Sequence, residues 1–104
     1  MIKLFEITED AYNQYRSSVD GREFVEKEYA RLLLTRNIIL SVAFPHKKYI
    51  HYYYGRLRIT VNNDNVIIGI KNHTNNKTEI DKYKKKILNE VLGIWAGILL
   101  YNLT

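Results

Sequence analysis

Tyr49-Ile50-His51-Tyr52-Tyr53-Tyr54-Gly55-Arg56-Leu57-Arg58-Ile59-Thr60-Val61-Asn62-Asn63-Asp64-Asn65-Val66-Ile67-Ile68-Gly69-Ile70-Lys71 is the stretch that decides how this chain folds. Arg56 to Val61 alternates polar and apolar residues without a break, the pattern of a half-buried strand. Asn62 to Asn65 is a turn cluster, because Asn and Asp tolerate left-handed backbone. Val66 to Lys71 then reads as the following strand, and Tyr49 to Tyr54, ending at Gly55, as the preceding one. Two-residue loops at Tyr54-Gly55 and Asn63-Asp64 set a register. In it Val61 faces Val66, Ile59 lies between Ile50 and Ile68, and Leu57 lies between Tyr52 and Ile70. These form the buried side. The opposite side collects Tyr49, His51, Tyr53, Arg56, Arg58, Thr60 and Lys71, with His51 directly across from Arg58. A one-residue slip would bury the arginines, so the pattern itself favours this register.

Outward from the sheet, Ile2 to Ile7 reads as a short first strand. Thr8-Glu9-Asp10 reads as a helix start, with a capping hydroxyl and acids in the positive first turn. Ala11, Tyr15 and Val19 mark its buried face, and Asp20-Gly21 breaks it. Asp20 and Glu23 have capping-box spacing, which predicts a second helix at once, with Val25, Tyr29, Leu32 and Leu33 as its stripe. Two helices with almost no loop imply a helical hairpin. Ile38 to Phe44, stopped by Pro45, is either a short strand or the exit of that helix. Thr78 and Asp81 repeat the capping spacing and open a last helix, whose apolar face is Ile80, Tyr83, Ile87, Val91, Ile94, Trp95 and Ile98. From Val91 to Leu100 its polar face disappears. The chain's own core, a partner or a second copy of the chain covers that end, so a homodimer through the C-terminal helix is one expectation. The sequence thus predicts a single α+β domain: N-terminal strand, helical hairpin, antiparallel sheet of three to four strands, C-terminal helix.

The 104 residues suffice for one such domain, and a 46% apolar composition rules out disorder as the default. Cysteine is absent, which excludes disulfides, thiolate metal sites and a cysteine nucleophile. Met1 to Asp10 has no signal-peptide core, and the longest apolar run, Val91 to Tyr101, is well short of the ~20 residues of a spanning helix. The expectation is a soluble cytoplasmic protein without a membrane partner. The net charge of +5 is uneven: residues 1–40 carry six Lys/Arg and seven Asp/Glu, whereas residues 41–104 carry ten and four. A cationic half rich in Tyr and His points to a polyanion, with nucleic acid first, although solubility alone also accounts for a moderate excess.

The open face holds cations, phenols and an imidazole, with no carboxylate among them. Arg and Lys hold phosphates, and Tyr rings stack on unpaired bases. Cleaving RNA without metal needs a base for the 2′-hydroxyl, cations for the charged phosphate and an acid for the leaving oxygen. His51, His73, Tyr83, Arg56, Arg58 and Lys71 are suitable types, and Tyr49 and Tyr53 add base platforms. The lack of an acidic cluster argues against a two-metal nuclease. His46, beside Pro45, has no evident companion. No Walker loop, dinucleotide fingerprint, serine triad or zinc motif occurs, so no cofactor is expected.

Three segments carry a family resemblance. Ile7-Thr8-Glu9-Asp10-Ala11 leads into a first helix. Tyr54-Gly55-Arg56-Leu57-Arg58-Ile59 puts an arginine on a central strand after a glycine turn. Val66-Ile67-Ile68-Gly69-Ile70-Lys71-Asn72-His73 is a last strand ending at a histidine. In this order the chain resembles the RelE/ParE toxin superfamily, over roughly residues 1–87. The resemblance implies a metal-independent endoribonuclease that cleaves messenger RNA at the ribosome and is held by a cognate antitoxin. It would make Arg58 the phosphate-gripping arginine, His73 the basic group after the last strand and Tyr83 a tyrosine near the scissile bond. His51 would stand where some members carry lysines. The apolar extension to Thr104 departs from the family pattern, as does the lack of an arginine beside His73. The alternative is a non-enzymatic module that binds nucleic acid or protein through its sheet face and apolar C-terminal helix.

Overall fold

The computed structural model describes residues 2–94. Its elements run β1 (Glu6–Ile7), α1 (Glu9–Ser18), α2 (Lys27–Leu40), β2 (Val42–Pro45), β3 (Tyr49–Tyr54), β4 (Leu57–Asn62), β5 (Val66–Lys71) and α3 (Lys82–Leu92). The α+β class and the element order are those the sequence predicts. The sheet has five strands rather than three or four, in the order β1-β5-β4-β3-β2. β1 adds in parallel to β5, and the other pairs are antiparallel.

Thr8 caps α1 as expected, its hydroxyl accepting from the Ala11 amide at 3.1 Å. The helix buries Ala11 and Tyr15 against β5. β1 ends after two residues, but the ladder does not end with it. The Thr8 amide donates to the Ile67 carbonyl, and the Gln14 side-chain oxygen accepts from the Ile70 amide at 2.8 Å. The side chain of Gln14 thus stands in for a further residue of β1.

The second helix starts at Lys27, not at Asp20. Gly21 takes a left-handed conformation, at φ +82°, and Glu23 turns back to accept from the Gly21 amide instead of capping a helix. Tyr12 pins the resulting loop by donating to the Val25 carbonyl at 2.6 Å. Once formed, α2 buries an unbroken run from Leu33 to Ile38. A run buried all round means neighbours on both sides: the sheet on one, α3 on the other. The ambiguous Ile38 to Phe44 segment divides, with helix to Leu40 and edge strand from Val42. Pro45 lies on that edge, where its missing N–H disturbs no inner ladder.

Both hairpins differ from the expected loops. Gly55-Arg56, rather than Tyr54-Gly55, forms the β3–β4 turn, with Gly55 at φ +60° in the position where such a turn needs a positive φ. The pairing therefore moves by two residues. Tyr54 meets Leu57, Tyr52 meets Ile59 and Ile50 meets Val61. A two-residue shift keeps every side chain on its face, so the predicted faces survive although the predicted partners do not. The β4–β5 turn has three residues, with Asn65 left-handed at φ +61° and the Asn62 side chain accepting from the amides of Asp64 and Val66. The extra residue produces a bulge: Val61 pairs Ile67, while Thr60 pairs Gly69. Ile67 therefore takes the core position expected of Ile68, which is 39% exposed. Leu57, Ile59, Val61, Ile67 and Ile70 meet Ile7, Ala11, Tyr15, Leu34 and Ile38 in the core between sheet and helices.

Asp81, not Thr78, caps α3, its carboxylate accepting from the amides of Tyr83 and Lys84. Thr78 bonds the carbonyls of Tyr53 and Gly55 and so fastens the preceding segment to the β3–β4 turn. Asp81→Ala is expected to destabilise the chain by about 1 kcal/mol. Hydrogen exchange should show the loss at the Tyr83 and Lys84 amides while the sheet amides keep their protection. Gly93, at φ +73°, ends the helix after Leu92, and the Ile94 amide turns back to the Asn89 carbonyl. α3 thus ends at Leu92. The rest of the expected helix, with Trp95 and Ile98, lies outside the described residues. The expected stripe divides: Tyr83, Ile87 and Val91 are exposed, whereas Ile94, just past the cap, is buried.

Candidate functional site

The helices cover one side of the sheet. On the other, cross-strand pairing lays side chains out in rows. Val42, Tyr53, Arg58 and Lys71 form the first, each paired with the next. Phe44, His51, Thr60 and Gly69 form the second. Tyr49 and Asn62 form the third, and His46 joins it from the turn, its amide donating to the Tyr49 carbonyl at 2.8 Å. The rings touch across these rows. His46 stacks on Tyr49 with centroids 4.7 Å apart, and His51 lies 4.9 Å from His46 and 4.8 Å from Tyr49. Phe44 meets Tyr53 edge-on at 5.4 Å.

His51 thus sits opposite Thr60, not opposite Arg58; the two-residue shift makes Arg58 its diagonal neighbour on the same face. Its Nδ1 lies 2.9 Å from the Thr60 hydroxyl. If Nδ1 is the protonated nitrogen, it donates to Thr60, and Nε2 keeps the lone pair that a base requires. Partial burial, then the Arg58 charge, then His46 hold the His51 pKa below the usual histidine value. The ring is therefore neutral at neutral pH. The sign for stability follows. Between the lowered folded value and the unfolded value of about 6.5, the unfolded chain binds more protons. The contribution of His51 is present above about pH 6.5 and is lost as pH falls through the folded value. In an NMR titration the His51 ring should turn over below the free imidazole, and Arg58→Gln should move it back up.

Arg58 and Lys71 are directly paired across β4 and β5. Like charges in that position repel, and no ion pair relieves them: the described salt bridges are Lys27–Glu9, Arg31–Glu6 and Arg31–Glu28, all elsewhere. The Arg58 Nε is buried and makes no hydrogen bond. A guanidinium held without an acceptor beside an exposed ammonium is suited to an anion. The half-exposed Phe44 and Val42 and the neighbouring rings supply flat apolar surface beside it.

Tyr49, His51, Tyr53, Arg58 and Lys71 therefore gather as the sequence predicts. Three expected site residues do not join them. Arg56 is in the turn and donates to the Thr74 carbonyl. His73 lies past β5 in left-handed backbone, at φ +59°, exposed and in no described contact with the patch. Tyr83 is 74% exposed on α3, which packs on α2 and so lies on the helix side of the sheet. Conversely, sequence reading missed His46 and Phe44. The signal was present: an apolar run ending at Pro45, followed by Lys47-Lys48 and a tyrosine-rich strand, describes a hairpin that brings His46 beside Tyr49. Among the described residues no three His, Cys, Asp or Glu side chains gather as a metal site, and no helix is long and apolar enough to cross a membrane.

The class defined by fold and patch is a two-layer α+β protein with a cationic and aromatic sheet face. The chain belongs to the YorE family, which matches residues 5–91. It matches no curated protein and no solved structure.

Proposed function

We propose that the chain binds single-stranded RNA on its open sheet face and cleaves it without metal, in the manner of a RelE-like toxin held by an antitoxin. The observation that carries this reading is the unpartnered Arg58, paired with Lys71 and diagonal to a neutral His51. Arg58 and Lys71 hold the scissile phosphate and stabilise the charge that grows on it. Neighbouring bases stack on Tyr49, Tyr53 and Phe44. His51 Nε2 takes the proton from the ribose 2′-oxygen, which attacks phosphorus. The bond from phosphorus to the 5′-oxygen breaks, leaving a 2′,3′-cyclic phosphate. The 5′-oxygen departs with a proton from His46, the second imidazole of the patch.

Expression in a bacterial host tests this. Growth arrest with site-specific messenger cleavage, lost in His51→Ala and Arg58→Ala, is the expected outcome. Unimpaired growth with intact RNA removes the enzyme. A second reading, as a protein-interaction module, is favoured by one observation: Tyr83, Ile87 and Val91 recur at helical spacing and are 74%, 42% and 64% exposed. Under the toxin reading, that stripe suits an antitoxin helix.

A further inference from the structure

On the helix side of the sheet, a cavity of about 350 Å³ opens between α1, α2, the β3–β4 turn and the start of α3. Among the described residues Arg22, Arg36, Arg56 and Lys85 line it, and no carboxylate does. Arg36 is only 7% exposed. Its guanidinium donates to Asn37 Oδ1 through Nε and one terminal nitrogen, and to Asn89 Oδ1 through the other. Both partners are neutral amides. None of the four cations takes part in an ion pair among the described residues. The Tyr54 hydroxyl, on the same wall, is buried without a hydrogen-bond partner. Lys85 lies 5.5 Å from the centre of the Tyr54 ring.

Amide oxygens accept from three of the five Arg36 N–H groups and leave its charge uncompensated, and burying a lone charge is costly. Three further cations around one cavity add repulsion. Nothing in the wall removes either effect; a bound anion removes both. We propose that this cavity is a binding site for a small phosphorylated molecule. Several converging cations suit a dianion better than a single carboxylate, and the arginine fork matches phosphate oxygens. The Tyr54 hydroxyl supplies one more donor. Val19, Leu57 and Ile80 form an apolar wall for the group that carries the phosphate. The volume lies at the lower end of the usual range for small-ligand sites, roughly 300–1,000 Å³. The site is independent of the open face, since the sheet lies between them.

Calorimetry on the full chain with inorganic phosphate, and with adenosine monophosphate as a phosphomonoester, tests the proposal. Both probes are expected to bind and to raise the melting temperature. Arg22→Gln and Lys85→Gln should each weaken binding about tenfold, the loss of one charge-assisted contact. A binding component lost in Arg22→Gln and Lys85→Gln but kept in Arg58→Gln belongs to this cavity, which separates it from phosphate held on the open face. Arg36→Gln is expected to abolish binding; should it not fold, the other two variants decide. Absence of binding by both probes overturns the proposal. So does binding that survives both substitutions, or that Lys47→Gln in the β2–β3 turn weakens equally.

Discussion

Arg58→Gln is expected to reduce RNA cleavage by about 10²–10³-fold, the usual loss when one electrostatic stabiliser of a transition state is removed. The fold should be unchanged, because Arg58 makes no hydrogen bond that glutamine would break. Relief of the Arg58–Lys71 repulsion should, if anything, raise the melting temperature slightly. A site residue whose removal costs activity and not stability is the signature sought. Cleavage of a labelled single-stranded oligonucleotide by purified protein, read beside a thermal melt, checks both halves. Equal cleavage by wild type and variant, or a large fall in melting temperature, would place Arg58 in the scaffold instead. The salt dependence supplies a further arm: losing one phosphate contact should shallow the dependence of affinity on salt for single strands by roughly 0.7 in the logarithmic slope.

Ile59→Ala and Ile68→Ala form the second pair. Alternation alone makes these two isoleucines equivalent, facing each other in the core. The bulge separates them: Ile59 is fully buried and Ile68 is 39% exposed. Truncating Ile59 removes buried methylene groups from the middle of the sheet and leaves a cavity, so a loss of about 2–5 kcal/mol is expected. Truncating Ile68 should cost under about 1 kcal/mol, within the usual range for surface changes. Urea melts of the two variants measure the difference directly, and similar losses would mean that β5 runs without its bulge.

The legibility of the chain varied with how local each signal was. Alternation from Arg56 to Val61 fixes which side chains share a face, and faces survive a two-residue shift. Tyr49, His51, Tyr53, Arg58 and Lys71 therefore share a face in either register. Partner identity depends on turn geometry, and there Gly55-Arg56 and the left-handed Asn65 decided against the simplest loops. Capping residues were legible at Thr8 and misleading at Asp20 and Thr78. At the first a local turn takes the side chain, Glu23 serving the Gly21 amide, and at the second a tertiary contact does, Thr78 tying down the β3–β4 turn. His73 and Tyr83 enter as suitable residue types and through a resemblance, and neither carries the direction of a helix face. The cationic cavity had no sequence signal, because its four charged residues come from separate elements.

The Gln14 side chain that completes the β1 ladder has a mechanical consequence. It couples α1 to β5 through a directional bond as well as through packing, so helix and strand must move as one body. At the opposite border, β2 carries only exposed residues and is joined to the sheet by β3 alone. Under tension or gentle heating the molecule should peel from that border inward. His46 and Phe44 would swing away first, dismantling the aromatic platform while the Gln14 side is still intact.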